Sequence, residues 1–359
     1  MSKMISCFQV VRPEYELPQE ESVRWLAAAH TAASKDPERH ETFLNVLKKI
    51  GMGENKIKKR GVSISDPFHQ DWDKMELYPA TQKPDGVGFG KRSEVYDRIS
   101  CAMLEKLYPS NQELPPHLVH VTCTGYVAPS PVQRMVSLRN AGETTQVTHA
   151  YHMGCYASIP ALRIARGFSE TADIIHTEIC SLHLNPNLHQ LDQLVVQTLF
   201  ADGFIKYNVG TGKTGFKILF LEERIIPETS DSMHWIAQDW GLKMKLEKDV
   251  PVQIARALPS FVAKLLAEAK VSSQDIFYAI HPGGPKIIQQ VADILELKAE
   301  QFEHSQWVLQ NCGNMSSATL PHIWEKLWND ERVKSGSYVV SLAFGPGLTL
   351  AGGVFQCIR

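Results

Sequence analysis

The sequence lacks an excess of charge of either sign. It holds 37 lysines and arginines against 39 aspartates and glutamates, so the formal net charge is −2 over 359 residues. Proteins that bind nucleic acids non-specifically depend on a large positive charge, so the composition gives no electrostatic case for that class. Any contact with an acidic partner must come from a local basic patch.

Long hydrophobic runs are also missing. No stretch approaches about 18 uninterrupted apolar residues, which predicts that the chain does not cross a membrane. The apolar run within residues 1–22 is short and is followed by charge and proline, so we expect no cleaved signal peptide. A charged fraction of 21% and a hydrophobic fraction of 43% are typical of folded globular chains, and the length predicts two domains or one large duplicated fold.

The seven cysteines are scattered, and no two have the CxxC spacing of zinc or redox motifs. The sequence therefore predicts no metal site and no disulfide framework, and it favours a reducing cytoplasm. Four cysteines lie in apolar patterns typical of small buried hydrophobic residues: Cys7, Cys101, Cys180 and Cys357. The open question is whether one of the others is a working thiol.

Strand-like and helical segments alternate from about residue 115, in a β-α-β-α-β order. The predicted strands are 117–124, 143–151 and 173–180, and the predicted helices between them are 131–140 and 156–167. A similar order returns later, with helices at 251–270, 284–295 and 315–328 and strands at 277–280, 337–344 and 348–356. This pattern predicts an α/β layered core with two related halves, residues 1–220 and 221–359.

Cys155 differs from the other cysteines because it lies between a predicted strand and a predicted helix. Gly154 allows a sharp turn, and Pro160 is tolerated only in the first turn of a helix, so Cys155 is placed at the helix N-terminus. Unpaired amides and the helix dipole would stabilise a thiolate there. A reactive thiol and a buried structural cysteine both fit this pattern.

A thiol nucleophile needs a partner that handles protons. The best candidate is His281, which ends a buried strand and opens a rigid Pro-Gly-Gly turn, although His149, His152, His176 and His183 compete with it. Asn314 precedes a helix, where it serves either as an N-cap or as an amide donor that forms an oxyanion hole with His281. The Gly345-Pro346-Gly347 loop is either a simple turn or the wall of a cavity.

Six motifs together resemble the type III polyketide synthases, the chalcone-synthase-like ketosynthases of the thiolase fold, over residues 45–359. They are Gly-Cys at 154–155, Leu-Phe-Ala-Asp-Gly at 199–203, Lys-Asp-Val-Pro at 248–251, His-Pro-Gly-Gly-Pro at 281–285, Gly-Asn-Met-Ser-Ser-Ala at 313–318 and Phe-Gly-Pro-Gly-Leu-Thr at 344–349. Any one of these motifs is weak evidence, and six in order are strong.

The resemblance implies a homodimer with two thiolase-like halves in αβαβα layers, and no permanently bound cofactor. It also implies that Cys155 accepts an acyl chain from a thioester, while His281 and Asn314 bind the second thioester and stabilise its enolate. A positive His281 beside Cys155 would depress the pKa of the thiol. Phe200 matches the family's aromatic gatekeeper between carrier tunnel and cavity, and Gly345, Pro346 and Gly347 match its cavity loop.

The chain departs from the family pattern around the cavity and at the carrier site. Met244 stands at the second gatekeeper position, Ala128 at the position that reaches into the partner's cavity, and Cys123 and Ser316 at cavity-lining positions. Leu47, Ile50 and Glu54 occupy positions where the family has basic coenzyme A contacts. The nearby basic residues are Lys48, Lys49, Lys58, Lys59 and Arg60, which form either a solvated face or a carrier contact.

These departures leave the donor and the product open. The chain either extends an acyl starter with malonyl units, giving a pyrone or resorcinol, or joins two preformed β-ketoacyl chains into an α-pyrone, as enzymes of antibiotic biosynthesis would. Coenzyme A and acyl carrier protein both remain candidate donors. A fatty-acid-initiating ketosynthase would use the same Cys, His and Asn. A catalytically silent scaffold is the alternative from another class, and the joint presence of Cys155, His281 and Asn314 argues against it.

Overall fold

The computed structural model describes residues 2–53, 56–271 and 275–359, so Glu54 lies outside the described residues. The helices are α1 (Gln19–Ser34), α2 (His40–Gly51), α3 (Phe89–Leu107), α4 (Pro131–Leu138), α5 (Ser158–Gly167), α6 (Leu191–Leu199), α7 (Val250–Glu268), α8 (Pro285–Ile294), α9 (Ala299–Cys312) and α10 (Thr319–Trp328). The strands are β1 (Met4–Val11), β2 (Tyr15–Pro18), β3 (Lys59–Val62), β4 (His117–Thr122), β5 (Gln146–Tyr151), β6 (Ala172–Ile179), β7 (Asp202–Gly210), β8 (Gly215–Ile225), β9 (Met233–Gln238), β10 (Gly241–Leu246), β11 (Ile276–Ile280), β12 (Tyr338–Gly345) and β13 (Thr349–Ile358).

Nine strands of the described chain form one mixed sheet in the order β11-β12-β13-β8-β1-β7-β6-β4-β5. Each end of the sheet has parallel pairing, β11 with β12 and β4 with both β5 and β6, followed by antiparallel strands. The two blocks meet where β1 pairs with β8, through Met4 opposite Lys217 and Ile5 opposite Phe216. Residue 220, where the sequence divides the chain into halves, lies within β8, and that division stays a prediction.

Helices α5 and α10 contact strands of both blocks. Helix α5 contacts β4, β6 and β7 as well as β8 and β13, and α10 contacts both β7 and β11. Together with the inner faces of the strands they form one buried apolar cluster. Helices α1, α2, α3 and α6 pack in a second cluster, and α7, α8 and α9 in a third. The two blocks of the sheet are the two β layers, α5 and α10 lie between them, and the other helices cover their outer faces. This is the αβαβα layering that the resemblance implies.

Strand β12 illustrates why strands covered on both faces are buried along nearly their whole length. Val339 and Ala343 belong to the inner cluster, whereas Val340 and Leu342 belong to the outer one. Successive side chains point to opposite faces of a sheet, so a strand with helices on both faces buries every residue. Each fully buried Val or Leu side chain contributes about 1.5–3 kcal/mol.

Helix α7 is the one described helix with the length and mean hydropathy, 1.3, that a membrane span would also have. It contacts β8, β13 and α8, and Leu258, Phe261 and Leu265 are fully buried in the third cluster. The opposite face carries Arg256 and Lys264. We interpret α7 as an outer-layer helix of the α/β fold.

The burial of the cysteines corrects one prediction. Cys180 and Cys357 are buried as predicted, Cys101 is half-buried on α3, and Cys7 is exposed. Cys7 has φ of 53° and lies in the bulge of β1 between Ser6 and Gln9, where the pairing with β7 shifts register. A bulged residue leaves the alternation of the strand, so Cys7 turns away from the core.

Candidate active site

Cys155 lies in the turn that connects β5 to α5. The helix begins at Ser158, and the Ala157 amide donates to the Gly154 carbonyl at 3.1 Å, so the turn leads directly into the helix. Gly154 has φ of 82°, and a Cβ there would lie 2.4 Å from Cδ of Pro346. Only glycine satisfies both constraints. Cys155 is 8% exposed and points into a closed site rather than onto the surface.

A small cavity of about 30 Å³ opens beside Cys155. Its wall is largely sulfur and aromatic carbon, and its lining residues are Cys123, Thr124, Gly154, Cys155, Cys180, Phe200, Met233, His234, Trp235, Met244, Ser316 and Pro346. The Gly154 amide donates to Sγ of Cys123 at 3.0 Å, which ties β4 to the turn. A partly open, apolar cavity beside a buried thiol suits a hydrophobic acyl chain.

Asn314 reaches this site through the loop that follows α9. Its backbone amide donates to the Leu199 carbonyl at 3.1 Å, and its carbonyl accepts from the Ala201 amide at 2.8 Å. Its Oδ1 accepts from the Ser316 amide at 2.9 Å, as an N-cap would. The Asn314 and Ser316 side chains also hydrogen-bond to the Cys155 sulfur and oppose the rise in its pKa. The N-cap of α10 is Ala318 rather than Asn314, and the role of the Asn314 amide as a donor in an oxyanion hole stays a prediction.

His281 lies directly after β11 and is 1% exposed. Its amide donates to the Leu342 carbonyl at 2.8 Å, but neither ring nitrogen has a hydrogen-bond partner among the described residues. His281 is not one of the described side chains that line the cavity around Cys155. An imidazole buried with both nitrogens unpaired is costly, which is a reason to look for a functional role.

The competing histidines have partners. His176 is bonded to Ser317 Oγ at 3.0 Å and to Tyr207 Oη at 3.1 Å. His183 is bonded to the Thr124 carbonyl at 2.8 Å and accepts from the Leu242 amide at 3.2 Å. His149 is bonded to Ser130 Oγ at 3.0 Å. His152 is exposed in the turn after β5 and hydrogen-bonds to the Trp235 backbone. Their nitrogens have structural roles that those of His281 lack.

Burial sets the protonation of the resting site. Burial, with a smaller contribution from the nearby Glu178 carboxyl, raises the pKa of Cys155 to about 12. Burial also lowers the pKa of His281 to about 3. The expectation of a positive His281 and a depressed thiol pKa is therefore wrong for the resting protein, because the dry site penalises both charged forms. The resting site holds a neutral thiol and a neutral imidazole.

We expect no ionisation of Cys155 between about pH 6 and pH 9, because a thiol whose pKa is raised loses its proton only in strongly alkaline solution. The measurement is the ultraviolet thiolate absorbance of the wild type minus that of Cys155→Ala as a function of pH. A thiolate step near neutrality would instead indicate an ion pair and contradict the neutral site.

The structure places most of the predicted cavity residues in the wall: Phe200, Cys123, Met244, Ser316 and Pro346. Gly345 and Gly347 shape the loop instead, and a Cβ on Gly345 would lie 2.2 Å from Cδ1 of Tyr156. Sequence reasoning missed Trp235, on β9. Its Nε1 donates to the Cys123 carbonyl at 2.8 Å, and its ring stacks on Phe200 with centroids 6.4 Å apart.

The residues of the predicted carrier patch lie partly on the surface and partly in the core of the protein. Lys48, Lys49 and Lys58 are exposed, and Lys59 pairs with Glu16 at 2.7 Å. Arg60 is only 6% exposed, and its guanidinium donates to carbonyls inside the protein. The assignment of Arg60 to a carrier-binding surface is therefore wrong, since a carrier cannot reach it.

Comparison with known proteins agrees with this geometry. Residues 217–359 match the family model of chalcone and stilbene synthases, C-terminal domain. The chain is 29% identical over 252 residues to "Probable polyketide synthase 1" of Dictyostelium discoideum and 30% identical over 254 residues to "Type III polyketide synthase C" of Arabidopsis thaliana. Both matches cover 66% of this chain, but only 8% of the first protein and 66% of the second.

A search with the fold also finds polyketide synthases. The crystal structure of PKS-I from the brown alga Ectocarpus siliculosus superposes with a TM-score of 0.85 over 99% of this chain and 98% of that one, at 22% identity. This likeness establishes the thiolase-like fold. The sequence matches show that the chain belongs to the type III polyketide synthases.

Proposed function

We propose that the protein is a condensing acyltransferase that loads an acyl chain on Cys155 and extends it by Claisen condensation. One observation carries the proposal: Cys155, buried at a strand-to-helix turn, faces an apolar cavity and accepts hydrogen bonds from the Asn314 and Ser316 side chains. A thiol needs these surroundings to hold an acyl chain out of water. Membership of the family supports the same chemistry.

In the loading step, the Cys155 sulfur attacks the carbonyl carbon of the donor thioester. The carbon–sulfur bond to the carrier breaks, and the carrier leaves as a thiol with a proton that replaces the one lost by Cys155. The resting thiol is neutral, so a base must take its proton, and the neutral imidazole of His281 has both nitrogens unpaired. We assign this proton transfer to His281.

In the condensation step, loss of carbon dioxide from a malonyl thioester leaves an electron pair on the enolate. The enolate carbon attacks the Cys155 thioester, and the carbon–sulfur bond to Cys155 breaks. Cys155 leaves as a thiolate, which takes a proton from water to regenerate the thiol. An enolate oxygen is stabilised by hydrogen-bond donors fixed in advance. The Asn314 amide, held by its own backbone bonds to Leu199 and Ala201, is such a donor.

The second candidate joins two preformed β-ketoacyl chains into an α-pyrone. The altered carrier positions favour it: Leu47 is fully buried, and the nearby lysines Lys48, Lys49 and Lys58 lie on the surface, where a carrier protein could dock. Both candidates need a thioester donor and no permanently bound cofactor. We expect the enzyme to act as a homodimer in the cytoplasm, where its free cysteines stay reduced.

The test supplies acyl and malonyl chains on coenzyme A in one reaction and the same chains on acyl carrier protein in another, with products identified by mass. A carbon–carbon condensation product from either donor supports the proposed activity. Product from carrier-bound chains alone would exclude the coenzyme A-dependent form. No condensation product from either donor, with malonyl and with β-ketoacyl chains, would overturn the proposal.

Trp235 is expected to limit the length of the acyl chain, because its ring lines the cavity and stacks on Phe200. Each methylene moved from water into an apolar site contributes about 0.8 kcal/mol. Trp235→Ala should therefore raise kcat/KM for starters two or more methylenes longer, relative to short ones, by about tenfold or more. Competition assays with mixed starters measure this ratio.

Trp240 provides the matched control, since it lies in the same hairpin but does not line the cavity. Trp240→Ala should leave the ratio of long to short starters unchanged. An equal shift in both variants would show that the hairpin acts through its stability and not through the Trp235 ring.

A further inference from the structure

Arg60 lies on β3, outside the cavity, yet it holds the two segments that build one side of it. We propose that Arg60 is a positioning residue that fixes Phe200 and Asn314 relative to Cys155. This inference rests on the proposed condensation, and it adds a residue that sequence reasoning had assigned to the surface.

The first contact is with the end of α6. Arg60 Nη1 donates to the Gln197 carbonyl at 2.8 Å and to the Phe200 carbonyl at 2.7 Å, and Nη2 donates to Ser22 Oγ. The last carbonyls of a helix have no partner within it, and a cation is favoured at this end of the dipole. Helix α6 ends just before Phe200, whose backbone is extended. The hydrogen bonds from Arg60 therefore fix the position at which the Phe200 ring enters the cavity.

The second contact is with the Asn314 loop. Gly313 has φ of 78°, and a Cβ there would lie 3.1 Å from Cγ of Arg60 and 2.8 Å from Cβ of Ala201. The aliphatic part of Arg60 therefore packs directly against the residue before Asn314. Asn314 is in turn paired with Leu199 and Ala201, on either side of Phe200. Movement of Arg60 would therefore displace the Phe200 ring and the Asn314 side chain together.

The charge of Arg60 is retained in this position. Burial lowers its pKa to about 10, and Asp202 opposes that shift. Asp202 is itself fixed by the amides of Ser63 and Ser181 at 2.7 and 2.8 Å. A guanidinium offers five donors in a rigid fork, whereas a lysine ammonium at the end of a flexible chain cannot reproduce the same set of bonds. Arg60→Lys therefore keeps the charge and disturbs the geometry.

The experiment compares Arg60→Lys with Arg92→Lys. Arg92 is a matched control because it is also fully buried and donates to backbone carbonyls, those of Val87 and Leu184 among them, but lines no part of the cavity. Loading of Cys155 is followed by intact mass, condensation by product formation, and folding by thermal melting. We expect the ratio of condensation rate to loading rate to fall about tenfold in Arg60→Lys and to stay unchanged in Arg92→Lys.

A second readout does not depend on condensation. The Asn314 and Ser316 hydrogen bonds oppose the rise in the Cys155 pKa, so a displaced Asn314 should slow alkylation of Cys155 by iodoacetamide about threefold or more in Arg60→Lys. If neither readout separates Arg60→Lys from Arg92→Lys, Arg60 is merely structural and the inference fails. If alkylation separates the variants but the wild type forms no carbon–carbon product, the proposed function fails and the positioning role stands.

Discussion

Replacing Cys155 by alanine is expected to abolish acyl loading and to lower condensation by about ten-thousandfold or more, since the covalent nucleophile is lost. The thiol is the attacking atom, and its buried turn is rigid: Gly154 admits no side chain, and Pro346 packs against it. Alanine fits the same space without the sulfur, so the fold should survive. Intact mass after incubation with an acyl donor should show one adduct on the wild type and none on Cys155→Ala.

Cys123 and Cys180 line the same cavity, so they are the thiols that could accept the chain instead. Burial raises the pKa of each well above its ordinary value, and neither lies at the N-terminus of an α-helix. The control is Cys357→Ala, a buried free thiol on β13 outside the cavity, which should load like the wild type. A full adduct on Cys155→Ala would assign the nucleophile to another cysteine.

The local geometry of the Cys155 turn was predictable from sequence because neighbouring residues fix it. Gly154 and Pro160 bracket the start of the helix, and the structure begins α5 at Ser158, within two residues of the prediction. The later helices and strands were located for the same reason, since Gly and Pro mark their ends. Helices α3, α6 and α9 and strands β7 to β10 were missed, and in α3 and α9 the apolar residues are interspersed with charge.

Contacts between distant parts of the chain determine the burial of Arg60 and the protonation of Cys155, which the sequence did not predict. Arg60 belongs to a run of basic residues that is typical of an exposed surface. It is buried in the structure, where it donates to the carbonyls of Gln197 and Phe200, which lie far along the chain. The protonation of Cys155 is another case. A helix N-terminus favours a thiolate, but burial by the wall of the cavity outweighs it, and that wall comes from eight separate parts of the chain.

A neutral thiol beside Asn314 makes the base indispensable, so the second large effect is expected from His281. His281→Ala should slow loading of Cys155 about a thousandfold near neutral pH, within the range that general base catalysis contributes. The wild-type rate should be independent of pH from about 6 to 9, because the pKa of His281 is lowered to about 3 and the pKa of Cys155 is raised to about 12. Neither group changes its charge within that interval.

The variant should behave differently, and the difference identifies the role of His281. Without the imidazole, hydroxide must remove the thiol proton, so the loading rate of His281→Ala should rise about tenfold for each pH unit. His304→Ala is the control: that histidine pairs with Asp330 at 2.8 Å, outside the cavity, and its loss should leave the wild-type profile unchanged. A flat profile in His281→Ala would mean that another group takes the proton, and His281 would then be confined to binding the second thioester.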